Sequence, residues 1–162
     1  MNITVSVDTS KPNKVLTDFY DALVRAKLGA LTEIGQEVQS RATRAFRTPA
    51  MRPAPWAPRK PTYIVTVNRK TRKKTRKLDD HPLLIKTGAL RQSIVWELVS
   101  GDAVRIGTDR KYAGYHQLGT KHMPARPFLP VDDKGKLTPQ MEQKVNRIIA
   151  RHLKTELGKF KG

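Results

Sequence analysis

The chain opens on a period-2 stretch. Ile3, Val5 and Val7 alternate with Thr4 and Ser6, which predicts a strand with one buried face, and Asp8 to Pro12 reads as the turn after it. From about Asn13 to Arg47 the period lengthens. Leu16, Phe19 and Leu23, then Leu31, Ile34, Val38, Ala42 and Ala45 return every three or four residues, which predicts one long amphipathic helix or a bent pair. Gly29 and Gly35 each cost about 1 kcal/mol relative to alanine in a helix interior, and Gly29 is the expected place for a break. Residues 48–61 then hold five prolines, which remove backbone donors and fix φ, so an extended connection follows the helix.

Tyr63 to Val67 has strand propensity. From Asn68 to Asp80 there is no apolar anchor before Leu78, and residues 62–82 read as an inserted arm or protruding hairpin. Thr87 is placed to cap a short turn through Leu90 and Arg91. Ser93 to Val99 alternates, Gly101 and Asp102 make a turn, and Ala103 to Thr108 returns as a second strand, so a hairpin is expected here. Thr138 and Pro139 signal a helix start, and Leu137, Met141, Val145, Ile148, Leu153 and Leu157 form the apolar stripe of a final helix that stops near Gly158. Lys144, Arg147, Arg151 and Lys154 lie toward its other side. The order of elements predicts an α+β fold: an antiparallel sheet packed against a long N-terminal helix and a C-terminal helix, with the basic arm protruding.

Length and composition refine this picture. A chain of 162 residues is most simply one domain, 1–162, although 38% apolar residues leave part of it outside the core. The absence of cysteine excludes disulfides and thiolate zinc sites and implies a reducing setting. The start has no apolar stretch of signal-peptide length, and no window approaches the roughly 20 apolar residues of a membrane span, so a soluble chain is expected. Charge changes the picture most: 32 Lys and Arg against 14 Asp and Glu give +18. Such a balance attracts polyanions and acidic surfaces over roughly 8 to 10 Å at ordinary salt. It names a kind of partner, nucleic acid or an acidic neighbouring subunit, rather than an activity.

Candidate chemistry is sparse. His116 and His122 are six apart with no acidic residue between them, which fits no common zinc spacing; His116 is expected to pack at the end of a short helix beside Tyr112 and Tyr115, with His122 in a loop. Asp79 with Asp80 and Asp132 with Asp133 read as turn and helix-approach residues rather than ligands for a divalent ion. Ser93 has no nucleophile elbow around it, and no glycine motif cradles phosphate. No enzyme activity, catalytic residue, cofactor or metal is expected. Arg69, Lys70, Arg72, Lys73, Lys74, Arg76 and Lys77 form a basic run without interleaved aromatics and belong to no common recognition module. The run reads either as a solvated arm or as a contact for DNA or an acidic subunit.

Three segments carry a resemblance. "PWAPRKPT" after the long helix, then "PLLIKTGALRQSI", then "VRIGTDRKYAGYHQLGTKHMPARPFL" resemble the tailed-phage virion morphogenesis family, which includes tail-completion and head-tail joining proteins. The matching residues are Thr87, Gly88, Leu90 and Arg91; Ile106, Gly107 and Thr108; Tyr112, Ala113, His116, Gln117 and Gly119; and Pro124 to Phe128, with Arg126 and Pro127 among them. The insert from Tyr63 to Lys77 departs from the pattern in length and charge. The resemblance implies a structural virion protein at the neck or tail terminus, made in the host cytoplasm, forming a homo-oligomeric ring, a hexamer, that joins tail to head connector. Contacts with connector and tail proteins, and with packaged DNA or acidic subunit surfaces, are implied. Arg91, Arg126 and Trp56 are expected at the subunit interface, although Arg126 is equally suited to a salt bridge within the subunit; Phe128 and Tyr112 are expected in the core before any interface. The alternatives are a nucleic-acid-binding module using residues 69–77 and, more distantly, a metal-dependent hydrolase using His116 and His122.

Overall fold

The computed structural model describes residues 14–132 and 134–159; the strand expected at residues 3–7 lies outside them. The first described element is a single unbroken helix, α1 (Lys14–Ala45). Its buried face is made of small residues, Ala22, Ala26 and Ala30 four apart, then Gly35, Val38, Ala42 and Ala45. Narrow side chains at this spacing let a second element approach the helix axis closely. The last helix, α4 (Pro139–Lys159), uses that space, burying Met141 and Ile148. It runs antiparallel to α1, as three rungs along the seam record: Arg41 to Gln140, Glu33 to Arg151 and His152, and Arg25 to Glu156.

The expected break at Gly29 is absent. A Cβ at Gly29 would lie 2.8 Å from His152 Nδ1, and one at Gly35 would lie 2.4 Å from Trp96 Cε3. Both glycines are therefore places where another element presses on the helix backbone. The packing gained there offsets a propensity cost of about 1 kcal/mol each.

The strands form two separate antiparallel hairpins rather than one sheet. In the first, β1 (Tyr63–Val67) pairs with β2 (Lys74–Leu78) from Tyr63↔Leu78 to Val67↔Lys74, and every residue of both strands is exposed. In the second, β3 (Val95–Val99) pairs with β4 (Ala103–Gly107) from Val95↔Gly107 to Val99↔Ala103, and it packs on α1. Between the hairpins lies the short α2 (Ala89–Gln92), and after β4 comes α3 (Ala113–Leu118). The architecture is α+β, with helices at both ends of the described chain and α1 as the common support for α4 and the β3–β4 hairpin.

The C-terminal end of α1 enters the main core. Ala42, Ala45 and Phe46 meet Trp56, Leu90, Ile94, Ala113 and Phe128, with Met51, Leu83, Leu84, Ile85, Ile106 and Leu129 around them. Well-separated stretches of chain thus share one cluster with Phe46, whose ring lies 5.8 Å from Trp56 in an edge-to-face arrangement and 5.4 Å from Phe128. Aromatic pairs in such geometry add about 0.5–1.5 kcal/mol each beyond their burial.

Candidate functional site

The segment from Tyr112 to Pro130 is shaped by hydrogen bonds to its own backbone. Gln117, on α3, turns its Oε1 toward the returning chain and accepts from both Phe128 N and Leu129 N at 3.0 Å. One amide side chain thereby fixes the place where Phe128, 1% exposed, enters the core. Gly119 ends α3 with φ +78, and a Cβ there would stand 2.8 Å from Ala125 N, so backbone passes over backbone at this point. Only glycine accommodates both demands without strain. His116 O accepts from Arg126 N at 2.7 Å, closing the same loop from its other side.

Arg126 is not available to a neighbour. It is 8% exposed, and its guanidinium donates to the carbonyls of Ala57 at 3.1 Å and Pro58 at 3.4 Å. The proline-rich connection supplies acceptors because its carbonyls have no helical or strand partner. Trp56 is equally committed inside the chain: it is buried, its Nε1 donates to Pro127 O at 2.7 Å, and the Arg52 guanidinium covers its ring at 4.0 Å. The expected interface roles of Arg126 and Trp56 therefore give way to an internal brace between residues 56–58 and 126–127. Tyr112, expected in the core, is 42% exposed; its ring meets His116 edge-on at 5.9 Å instead of reaching Phe46. With Tyr115 and Leu118 it forms an exposed apolar row on α3.

His116 is half-buried, and its Nδ1 is a buried atom without a hydrogen-bond partner among the described residues. Burial, reinforced by the nearby Arg126 cation, lowers its pKa from the ordinary histidine value. His122 sits in an exposed loop, where its N donates to Thr120 Oγ1. Among the described residues, no three His, Asp or Glu side chains gather where they could hold a metal ion.

The residues of the glycine-bearing turn behave differently from one another. Gly88 stands at the start of α2 with φ 72, which explains glycine there, while Thr87 Oγ1 is only 3.4 Å from Ala89 N, at the long end for a cap. Leu90 is buried in the Phe46 core. Gly107 ends β4, and Thr108 follows with its hydroxyl 2.5 Å from Ser93 Oγ, tying the two ends of the β3–β4 hairpin together. Arg91 lines a groove of about 430 Å³ with Arg44 and Arg47, so it joins a second basic surface. At the far end of the core, Thr138 opens α4 by accepting Glu142 N through its carbonyl, while its hydroxyl finds no partner among the described residues. Pro127 and Leu118 line an apolar recess of about 320 Å³ beside it.

The seven basic residues 69–77 are carried by the tip and second strand of the β1–β2 hairpin. Asn68 Oδ1 accepts from Lys70 N and Thr71 N and sets the tip, where Arg72 has φ 54. Asp79 holds the base. It pairs with Arg59 and His81, and its N donates to Thr62 O at 2.8 Å. The His81 hydrogen bond, with Arg59 behind it, keeps the Asp79 carboxyl below its usual pKa. Sequence reasoning treated Asp79 as a turn residue. The Asp-x-His spacing was visible, but the Arg59 partner across the hairpin base was not.

Every segment that resembles the morphogenesis proteins thus builds one braced core. A model of the phage virion morphogenesis family matches residues 7–154 of this chain. The chain belongs to that family. No curated protein and no solved structure matches it. As a family member the protein has a structural or assembly role in the phage virion. The match also spans the β1–β2 hairpin, so the basic arm lies inside the morphogenesis region rather than appended to it. No helix among the described residues is long and apolar enough to cross a membrane.

Proposed function

We propose that this morphogenesis protein is a non-enzymatic ring component at the head-tail junction, six copies completing the tail and joining it to the head connector. The observation that carries the reading is that the family motifs are consumed in making shape. Gln117, Arg126, Trp56 and Gly119 spend their polar groups or their conformational freedom on backbone, leaving a braced surface rather than a reactive cleft. A closed ring needs two different surfaces on each copy that fit one another. The exposed Tyr112, Tyr115 and Leu118 row, adjoining the recess lined by Leu118, Ala125, Pro127 and Val131, suits one of them. Rigid surfaces lose less freedom on docking than mobile ones.

Disrupting the gene tests the reading: separate filled heads and tails are expected by electron microscopy, and complete, joined particles would refute it. A second reading has its own observation. The seven cations of the hairpin make no ion pair among the described residues, so they are free for nucleic acid. It requires duplex DNA affinity that falls steeply with salt and with neutralisation of residues 69–77.

A further inference from the structure

The β1–β2 hairpin is unusual in what it leaves uncovered. Its register puts Tyr63, Val65 and Val67 on one face with their cross-strand partners Leu78, Arg76 and Lys74. Tyr63, Val65, Val67 and Leu78 are each about half exposed, at 47%, 55%, 48% and 51%. One face therefore carries an apolar row along β1 and a basic row along β2, with the Arg76 guanidinium 3.9 Å from the Tyr63 ring centroid. A lone two-stranded hairpin is marginal in water, and among the described residues this face is left exposed.

We propose that this face docks on an acidic protein surface of a neighbouring virion component, with an apolar strip on the partner meeting Tyr63, Val65 and Val67 and carboxylates meeting Lys74 and Arg76. The inference rests on the junction reading above and gives the hairpin its partner chemistry. A second copy is a poor occupant, because each copy carries +18, and six of its 14 acidic residues, Glu33, Asp79, Glu97, Asp102, Asp109 and Glu156, are already in ion pairs. Duplex DNA would satisfy the cations but offers nothing along its phosphates for the valines, and Tyr63, the hairpin's one aromatic, is already stacked by Arg76. A protein surface satisfies both rows at once, and desolvated apolar contacts bordered by charge are how such interfaces gain affinity and register.

Two full-length variants separate the contributions: Val65→Thr with Val67→Thr, which keeps strand propensity, and a charge variant with all seven Lys and Arg of residues 69–77 changed to Gln. Thermal melts establish that each retains the folded body. The probes are purified heads and purified tails from a phage with this gene disrupted, treated with nuclease, together with a 30-base-pair DNA duplex. Wild-type protein is expected to co-sediment with one of the two particles. Each variant should lose about tenfold or more in that affinity, the scale of truncating an interface anchor. The threonine variant should bind the duplex as wild type does. The proposal is overturned by wild-type binding to neither particle, by particle binding that both variants retain, or by loss confined to the charge variant and matched by its loss of DNA binding. Electron microscopy of the oligomers formed by the same variants tests ring formation independently, so a hairpin that binds without rings, or rings that form with an inert hairpin, tells the two readings apart.

Discussion

Replacing Gln117 with leucine removes the amide oxygen and nitrogen while roughly preserving side-chain volume. That oxygen accepts from Phe128 N and Leu129 N, each at 3.0 Å. A buried donor left without its partner costs about 1–3 kcal/mol. Phe128 is fully enclosed and bears the whole penalty, whereas Leu129 is half-buried and water relieves part of it. The expected loss is therefore about 2–4 kcal/mol, which in a chain of this size lowers Tm by roughly 5–15 °C. Gln117→Glu is the control. Its carboxylate still accepts both bonds and gives up only the weak 3.4 Å contact from Gln117 Nε2 to Leu129 O, so it should stay within about 1 kcal/mol of wild type. Urea denaturation followed by circular dichroism, with thermal melts alongside, reads both. A leucine variant within about 0.5 kcal/mol of wild type, the range of ordinary surface changes, would show that the clamp does not hold the Phe128 segment in place.

Other consequences are as direct. Gly35→Ala should destabilise by about 1–3 kcal/mol, the cost of overpacking, despite alanine's better helix propensity; Trp96→Leu in the same chain should recover part of the loss, and additive effects would contradict the contact. Because the folded pKa of His116 is lowered, its unfolded form takes up a proton more readily. Stability should be fully present above about pH 6.5 and decline as the pH falls through the folded value, and His116→Gln should flatten that decline in a urea series across pH 5–8. Asp79→Asn should leave the global Tm nearly unchanged while loosening the hairpin base, seen as faster tryptic cleavage between Arg69 and Lys77.

The elements most legible in the sequence were those stabilised by neighbours along the chain. The three- and four-residue return of apolar positions marked α1 and α4, and alternation around Gly101 marked the β3–β4 hairpin. What escaped depended on partners distant in the chain. Gly29 looked like a break because its use, room for His152, lies at the other end of the protein. Arg126 looked like a surface anchor because its acceptors are carbonyls of Ala57 and Pro58, which leave no side-chain signal. Tyr112 shares composition with core aromatics, yet the position of α3 turns it to solvent. The separateness of the β1–β2 hairpin, by contrast, was legible, because the charged run without an apolar anchor marked residues 62–82 as a protruding hairpin.

The continuity of α1 has a mechanical meaning. At about 1.5 Å per residue, its 32 residues make a rod about 48 Å long. One end is embedded in the Phe46 core and its length is splinted by α4, so there is no hinge in it for a displacement to be lost at. A load applied to the core is delivered to the opposite end as a tilt of the whole rod. In a phage virion assembly such a member works as a strut, and its span sets a fixed spacing between the surfaces at its two ends.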